Sequence, residues 1–126
     1  MKTVIQTPFA PAPVGPYNQA ILVNGTLYAS GQIALNPKDG TLVMDTLEQE
    51  TEQVMSNLAA VLKAADMGFE DVVKCTIFLS DMEMFARVNA VYGKYFDEAM
   101  APARETVEVA NLPKYVNVEI SCIATK

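Results

Sequence analysis

One segment of the chain, between Asp45 and Gly68, has the residue spacing of a long amphipathic helix. Asp45 or Thr46 can cap its first turn, and Gln49 stands where a capping box that starts at Thr46 requires it. Gly68 is suited to end the helix. The apolar residues at helical spacing are Leu47, Val54, Leu58, Val61, Leu62 and Ala65. The side that we expect to face water carries Glu48, Glu50, Glu52 and Gln53.

Strand and turn patterns precede this helix. Asn24-Gly25 is a strong signal for a two-residue β-hairpin, and the apolar segments 17–23 and 26–30 predict its two strands. A brief third strand over 41–44 fits the pattern as well.

The second half of the chain predicts a strand, a helix and a final hairpin. Val72–Leu79 is rich in β-branched residues, which favours a strand. Asp81 can cap a second helix. Its apolar side carries Phe85, Val88, Tyr92, Tyr95 and Phe96. Segments 104–110 and 116–124 alternate between apolar and polar residues, which predicts two paired strands.

The predicted order β-β-(β)-α-β-α-β-β is that of an α+β domain with two helices packed on one face of a mixed sheet. The length fits a single domain over residues 1–126. Two helices cannot cover both faces of such a sheet. Apolar residues such as Ile33, Leu35 and Ile123 remain for the second face. We therefore expect a closed homo-oligomer, with a polar, hydrated face as the alternative.

The composition limits the chemistry that the chain can perform. It contains no histidine, which excludes Ser–His and Cys–His nucleophile pairs and any His-ligated metal site. Cys75 and Cys122 lie in strand-like apolar runs, and we expect both to be buried and reduced. We expect neither a metal nor a cofactor. Acid–base chemistry is then left to carboxylates, tyrosine, lysine or bound water.

The charge limits the partners. A net charge of −6 with scattered lysines and arginines argues against nucleic acid and anionic membranes. No apolar run approaches the roughly 20 residues that span a bilayer, and the first residues do not resemble a signal peptide. We expect a cytoplasmic protein that acts on a small molecule.

The predicted final hairpin brings charged residues together. The residues that we place on its core-facing side are Val107, Val109, Val116, Val118, Ile120 and Cys122. With that register, Arg104 and Thr106 lie on the opposite face, next to Glu119. An exposed Arg–Glu pair of small energetic weight explains this pattern. A guanidinium that binds a carboxylate, beside a glutamate that orients water, is the functional alternative, although charges on a solvent face are usual.

Several motifs follow one another along nearly the whole chain. They are Gly15-Pro16-Tyr17, Ser30-Gly31-Gln32-Ile33, Phe85-Ala86-Arg87-Val88-Asn89 with Tyr92 and Phe96, Pro102-Ala103-Arg104, Val107-Glu108-Val109-Ala110, Leu112-Pro113-Lys114 and Val118-Glu119-Ile120. Each is weak alone, but in combination they resemble the signature of the reactive intermediate deaminase (RidA, or YjgF-like) family. The resemblance implies a chorismate-mutase-like fold and a homotrimer with three sites in the clefts between subunits.

The resemblance also implies an activity. Members hydrolyse reactive 2-imino acids, 2-iminobutanoate and 2-iminopropanoate, which arise from the enamine intermediates of pyridoxal-phosphate dehydratases. The products are ammonia and a 2-keto acid. Two alternatives stay open: a small-metabolite-binding regulatory trimer with little turnover, and an endoribonuclease or translation inhibitor. The acidic charge and the absence of histidine count against the latter.

Carried to this sequence, the resemblance assigns the substrate carboxylate to Arg104 and the attacking water to Glu119. The other pocket residues that it implies are Tyr17, Ser30, Gly31, Asn89 and Thr106. Several have structural alternatives: a packed aromatic for Tyr17, a β-bulge at Ser30-Gly31, and a core amide that caps a backbone group for Asn89.

Two positions depart from the family pattern. Glu105 stands where many members have a small residue, and it adds a negative charge beside the anion site. Alternation along the strand places it on the core-facing side, unless it reaches solvent at the strand end or pairs with a lysine or arginine. Thr106 stands where many members carry a cysteine, so we expect no thiol chemistry there. Its hydroxyl or backbone can still contact the ligand or water.

Overall fold

The structure, a computed structural model, describes residues 1–126. Its strands are β1 (Thr3–Ile5), β2 (Ala20–Val23), β3 (Thr26–Gln32), β4 (Val72–Leu79), β5 (Ala103–Glu108) and β6 (Val118–Thr125). Its two α-helices are α1 (Leu47–Ala64) and α2 (Phe85–Tyr92). The six strands form one sheet in the order β1-β2-β3-β6-β4-β5, with only the β4–β5 pair parallel. The prediction of an α+β domain with a mixed sheet and two helices is confirmed.

The N-terminal hairpin forms at the predicted turn. Asn24 and Gly25 have φ values of 51° and 78°, and Val23 pairs with Thr26. Both turn residues therefore adopt the left-handed conformation that a tight two-residue hairpin requires. Strand β1 was not predicted, and the predicted third strand over 41–44 is reduced to an isolated bridge between Leu35 and Leu42.

Strand β3 is longer than predicted and carries an irregularity. Ala29 pairs with Cys122 and Gln32 with Ile120, so the two residues between Ala29 and Gln32 face a single residue of β6. This is the geometry of a β-bulge at Ser30-Gly31.

The predicted final hairpin is wrong. Strand β6 lies between β3 and β4, and β5 is an edge strand parallel to β4. The physical reason is the crossover through α2, since a strand that returns after a helix pairs in parallel with the strand that preceded it. The backbone N–H of Val109 still donates to the carbonyl of Leu79, after which the chain crosses the end of β4 to reach β6.

Both helices pack on one face of the sheet. The N-cap of α1 is Thr46, one of the two predicted caps, and its side chain accepts a hydrogen bond from the Gln49 backbone N–H at 3.0 Å. The helix ends at Ala64, before Gly68, and the residue with positive φ after it is Asp66. Glu50, which was expected to face water, is completely buried. No helix in the structure is long and apolar enough to cross a membrane.

The other face of the sheet has no helix over it. Tyr28 and Val107 are 50% and 39% exposed there, and Ile123 is half-buried. Lys74 and Glu105 form an ion pair of 3.2 Å on the same face. The uncovered face is therefore a mixture of apolar and charged residues.

Candidate functional site

Arg104 lies on the face of the sheet that the helices cover. Its register partner on β4 is Cys75, whose partner on β6 is Cys122, and cross-strand partners point to the same side. The guanidinium carbon lies 5.0 Å from the ring centroid of Tyr92 and 5.5 Å from that of Phe85. Two aromatic faces of α2 thus stabilise the cation and fix its plane.

Asn89 also contacts the guanidinium of Arg104. Its Oδ1 accepts a hydrogen bond from Nη1 of Arg104 at 2.6 Å. Asn89 is exposed and makes no side-chain bond to a backbone group, so the alternative of a core amide that caps a backbone group is wrong. A cleft of about 500 Å³ opens here, lined by Asn89, Tyr92, Phe96, Pro102 and Arg104 among others.

Arg104 has no carboxylate partner. The other arginine, Arg87, binds Glu48 through two hydrogen bonds of 2.7 and 2.8 Å. The remaining N–H groups of Arg104 have no protein acceptor. This guanidinium is therefore free to bind a planar anion such as a carboxylate through two parallel hydrogen bonds.

Two buried hydroxyl groups lie close to Arg104. The Oγ1 of Thr106 is buried without a hydrogen-bond partner, and the buried phenol of Tyr92 lies next to the Cys75 thiol. Thr106, Arg104 and Asn89 line one small space together. Burial raises the pKa of the Tyr92 phenol, so this group is neutral at physiological pH. A buried hydroxyl without a partner is costly unless something occupies its free position.

Glu119 lies on the opposite face, in a second cleft of about 530 Å³. It is half-buried, and burial raises the pKa of its carboxyl group. The cleft lining includes Tyr17, Ser30, Gly31, Ile33 and Lys114. A Cβ atom on Gly31 would lie only 2.8 Å from Cδ of Glu119, so the carboxylate occupies the space that the missing side chain leaves.

The other two predicted residues reach this cleft from β3 and the loop before β2. Tyr17 is 49% exposed, outside any strand, and its hydroxyl oxygen accepts a hydrogen bond from the Val14 backbone N–H at 3.4 Å. Ser30 uses its hydroxyl to donate to the carbonyl of Asn18 at 2.6 Å. Ser30 therefore fixes the loop, while the Tyr17 ring is available to a ligand.

The structure does not bring Arg104 and Glu119 together as expected. The prediction placed Val107 in the core of a hairpin, but β5 is an edge strand and Val107 faces the uncovered side. Reversing that one assignment moves Arg104 and Thr106 to the helix side. The predicted site residues therefore form two groups, one on each face of the sheet: Arg104, Asn89 and Thr106 on one, Glu119, Tyr17, Ser30 and Gly31 on the other.

The same reversal settles the position of Glu105. It faces away from the core and contacts Lys74 and the hydroxyl of Thr76. The hydrogen bond from Thr76, and then that from Lys74, lowers the pKa of its carboxyl group. The expected core-facing position is wrong, and the alternative of pairing with a lysine is confirmed. Its charge does not lie on the Arg104 face.

Sequence reasoning missed Glu50. It stands three residues after Leu47 and four before Val54, on the apolar stripe of α1. That spacing was the available signal, but its charge led to a water-facing assignment.

Comparison with known proteins places the chain among relatives of similar length. The family model described as Endoribonuclease L-PSP matches residues 7–126. The RutC family protein slr0709 of Synechocystis is 60% identical over 122 residues, covering 96% of this chain and 94% of that protein. The 2-iminobutanoate/2-iminopropanoate deaminase of Bos taurus is 44% identical over 126 residues, covering 100% of this chain and 91% of that protein.

Solved structures have the same fold. Escherichia coli TdcF with bound serine has a TM-score of 0.92 at 36% identity, covering 98% of both chains. The YjgF gene product of E. coli has a TM-score of 0.92 at 41% identity, again covering 98% of both chains. The fold is thus that of a small α+β domain of the YjgF type. The chain belongs to the endoribonuclease L-PSP (YjgF/RidA) family.

Proposed function

We propose that this protein is a homotrimeric deaminase that hydrolyses 2-imino acids such as 2-iminobutanoate and 2-iminopropanoate to 2-keto acids and ammonia. The observation that carries the proposal is the setting of Arg104. It is a half-buried cation, oriented by Asn89 and two aromatic rings, with no carboxylate of its own. A small α-carboxylate fits the donors that remain free.

The division of the residues between two faces supports sites between subunits. One chain presents the anion-binding group in one cleft and the half-buried carboxylate of Glu119 in another. Packing one subunit against the uncovered face of the next would join Arg104 of one copy to Glu119 of its neighbour. A closed ring of three makes three such heterologous contacts, and it buries Tyr28 and Val107 in the process.

The reaction requires little of the protein. Arg104 would fix the substrate carboxylate and so place the electrophilic imine carbon beside a water molecule held by Glu119. Glu119 accepts a proton of the water as the water oxygen bonds to the imine carbon and the C=N electron pair moves to nitrogen, and the proton on Glu119 then passes to that nitrogen. The carbinolamine then loses ammonia, and the carbonyl of the 2-keto acid forms. The raised pKa of Glu119 brings it nearer to the working pH, which favours this proton exchange.

The names of two relatives support the same function. The bovine protein is named for this activity, and the E. coli neighbour was solved with serine, a small molecule that carries an α-carboxylate. A regulator that binds a small metabolite would use the same Arg104 cleft. Endoribonuclease action, which the family description names, is disfavoured by the net charge of −6 and by the pairing of Arg87 with Glu48.

The proposal is tested by coupling a threonine dehydratase to this protein and following 2-oxobutanoate release. Arg104→Ala is compared with Arg87→Ala, which removes the exposed arginine that already has a partner. We expect wild type and Arg87→Ala to accelerate release, and Arg104→Ala to raise KM at least about tenfold. No acceleration by the wild type, or equal effects of the two variants, would refute the function. Tight binding of a 2-keto acid without turnover would instead favour the regulator.

The assembly is tested separately. Light scattering of the native protein should give a particle about three times the 13.7 kDa chain mass. A monomer at micromolar concentration would contradict sites shared between subunits.

A further inference from the structure

Glu50 is a carboxylate enclosed in the core between α1 and the sheet. It has no exposed surface, and no lysine or arginine pairs with it. Its Oε2 accepts hydrogen bonds from the backbone N–H groups of Asn117 and Val118 at 2.8 and 3.2 Å. Its Oε1 accepts one from Nδ2 of Asn117 at 2.8 Å. Every bond of this side chain thus goes to the entrance of β6.

Burying the Glu50 carboxylate in the core costs free energy. Removing a carboxylate from water without a counter-charge costs several kcal/mol, which three N–H donors and the positive end of α1 offset in part. An apolar residue at this position of the apolar stripe would fill the space without that cost. The particular benefit of Glu50 is geometric, since it fixes two successive backbone N–H groups at a place where the sheet offers them no partner.

The backbone that Glu50 holds leads directly into Glu119. On the other side, the carbonyl of Asn117 accepts a hydrogen bond from the Ser80 N–H at 3.0 Å, so the strand entrance is held from two directions. Glu119 follows two residues later, and its carboxylate fits over Gly31 with no room for a methyl group. A small displacement of residues 117–118 would therefore move the Glu119 carboxylate out of its position.

We propose that Glu50 is a positioning residue that fixes the Glu119 carboxylate through the backbone of Asn117 and Val118. This inference rests on the proposed function for its kinetic consequence, but not for its structural one. Because Glu50 acts on β6 and not on β5, its removal should affect the step that uses Glu119 and leave binding at Arg104 unchanged.

The variants that test it are Glu50→Leu, Glu50→Gln and a control, Thr51→Val. Leucine fills the space but accepts no hydrogen bond. Glutamine keeps one carbonyl for both backbone N–H groups, and its amide can pair with a rotated Asn117 side chain. Thr51 is a buried neighbour on α1 whose hydroxyl donates to the Leu47 carbonyl at 2.8 Å and makes no hydrogen bond to β6.

We expect Glu50→Leu to lower kcat about tenfold at a temperature where it is fully folded, with KM within about twofold of wild type. Glu50→Gln should restore kcat to within about threefold, and Thr51→Val should lose stability without losing kcat. A lower melting temperature with unchanged kcat in Glu50→Leu would overturn the inference, as would an equal loss of kcat in Thr51→Val. If Glu50→Leu does not fold, Glu50→Asp, one methylene shorter, should lower kcat in the same direction, and unchanged kcat there would overturn it.

A second readout does not depend on catalysis. The Glu119 carboxyl group can be titrated by ¹³C NMR, with its signal assigned from the Glu119→Gln spectrum. In Glu50→Leu we expect its pKa to move toward that of an ordinary glutamate, since the carboxylate leaves its half-buried position. If the wild type shows no deaminase activity but this shift occurs, the proposed function fails and the positioning role stands. If the wild type is active and the titration of Glu119 does not change, the positioning role fails alone.

Discussion

Arg104 and Glu119 lie on opposite faces of one sheet, with β4 between the strands that carry them. No rotamer change within one chain can bring the guanidinium and the carboxylate to the same small substrate. If both act on one molecule, the second group must come from another copy of the chain. The uncovered sheet face, with Tyr28 and Val107 exposed, is the surface on which such a copy would pack.

Gly31 should be intolerant of the smallest side chain. A methyl group there would meet the carboxylate of Glu119, and Gly31→Ala should therefore lower kcat about 10- to 100-fold while KM changes little. Steady-state kinetics with the coupled dehydratase assay measures both constants.

Gly68→Ala is the matched control for this substitution. Its Cβ would also lie 2.8 Å from the Cδ of a glutamate, but that residue is Glu70, whose exposed side chain can swing away. Gly68→Ala should keep full activity. A normal kcat in Gly31→Ala would mean that the position of the Glu119 carboxylate has no part in the chemistry.

The activity should depend on the ionisation of Glu119. Its pKa is raised by burial, and its proposed role requires the carboxylate. The rate should therefore fall as the pH is lowered through this pKa, at a higher pH than an ordinary glutamate with a pKa of about 4.3 would give. Glu119→Gln should show a low rate without this acid limb. A wild-type profile that stays level down to pH 4 would contradict the assignment.

Glu119 should also make the stability of the protein depend on pH, and stability should rise over the pH range in which the rate falls. Because the folded state raises the pKa of Glu119, the ionised carboxylate is a stability cost above that pKa. This cost disappears as the pH falls from the raised pKa to the ordinary one. As the pH falls through that range, the free energy of unfolding of the wild type should thus rise relative to that of Glu119→Gln. Urea denaturation of both proteins measures the difference.

Removing the Thr106 hydroxyl should make the protein more stable and weaken substrate binding. Its hydroxyl is buried without a partner, so Thr106→Val should raise the free energy of unfolding by about 1 kcal/mol. If the hydroxyl donates to substrate or to bound water, the same change should raise KM about fivefold. Urea denaturation and steady-state kinetics measure the two effects. A stabilised variant with unchanged KM would remove Thr106 from the site.

The sequence predicted best what local interactions decide. The Asn24-Gly25 turn, the Thr46 cap and the strand Val72–Leu79 depend on neighbouring residues, and all three formed where the patterns placed them. The three-residue strand β1 was missed because it exists only through its pairing with β2.

Long-range pairing was harder to predict. Alternation along β5 is compatible with either face, because Val107 and the polar residues of this edge strand are all at least partly exposed. The choice of the wrong face moved Arg104 next to Glu119. The prediction that Glu50 faces water failed for a related reason, because its backbone N–H partners lie 67 and 68 residues away in the sequence. The resemblance to a family supplied candidate site residues, which stay a prediction, and it did not show that they lie on two faces of one sheet.

The central claim, that each site takes Arg104 from one subunit and Glu119 from the next, is tested most directly by mixing two impaired variants and assaying them at a substrate concentration well below KM. Arg104→Ala and Glu119→Gln, with different affinity tags, are co-expressed, and trimers that carry both tags are isolated. Random assembly should pair an intact Arg104 with an intact neighbouring Glu119 in about a quarter of the sites before selection for both tags. We predict that the mixed trimers regain at least this share of wild-type activity, whereas mixed trimers no more active than the two variants alone would contradict a site shared between subunits.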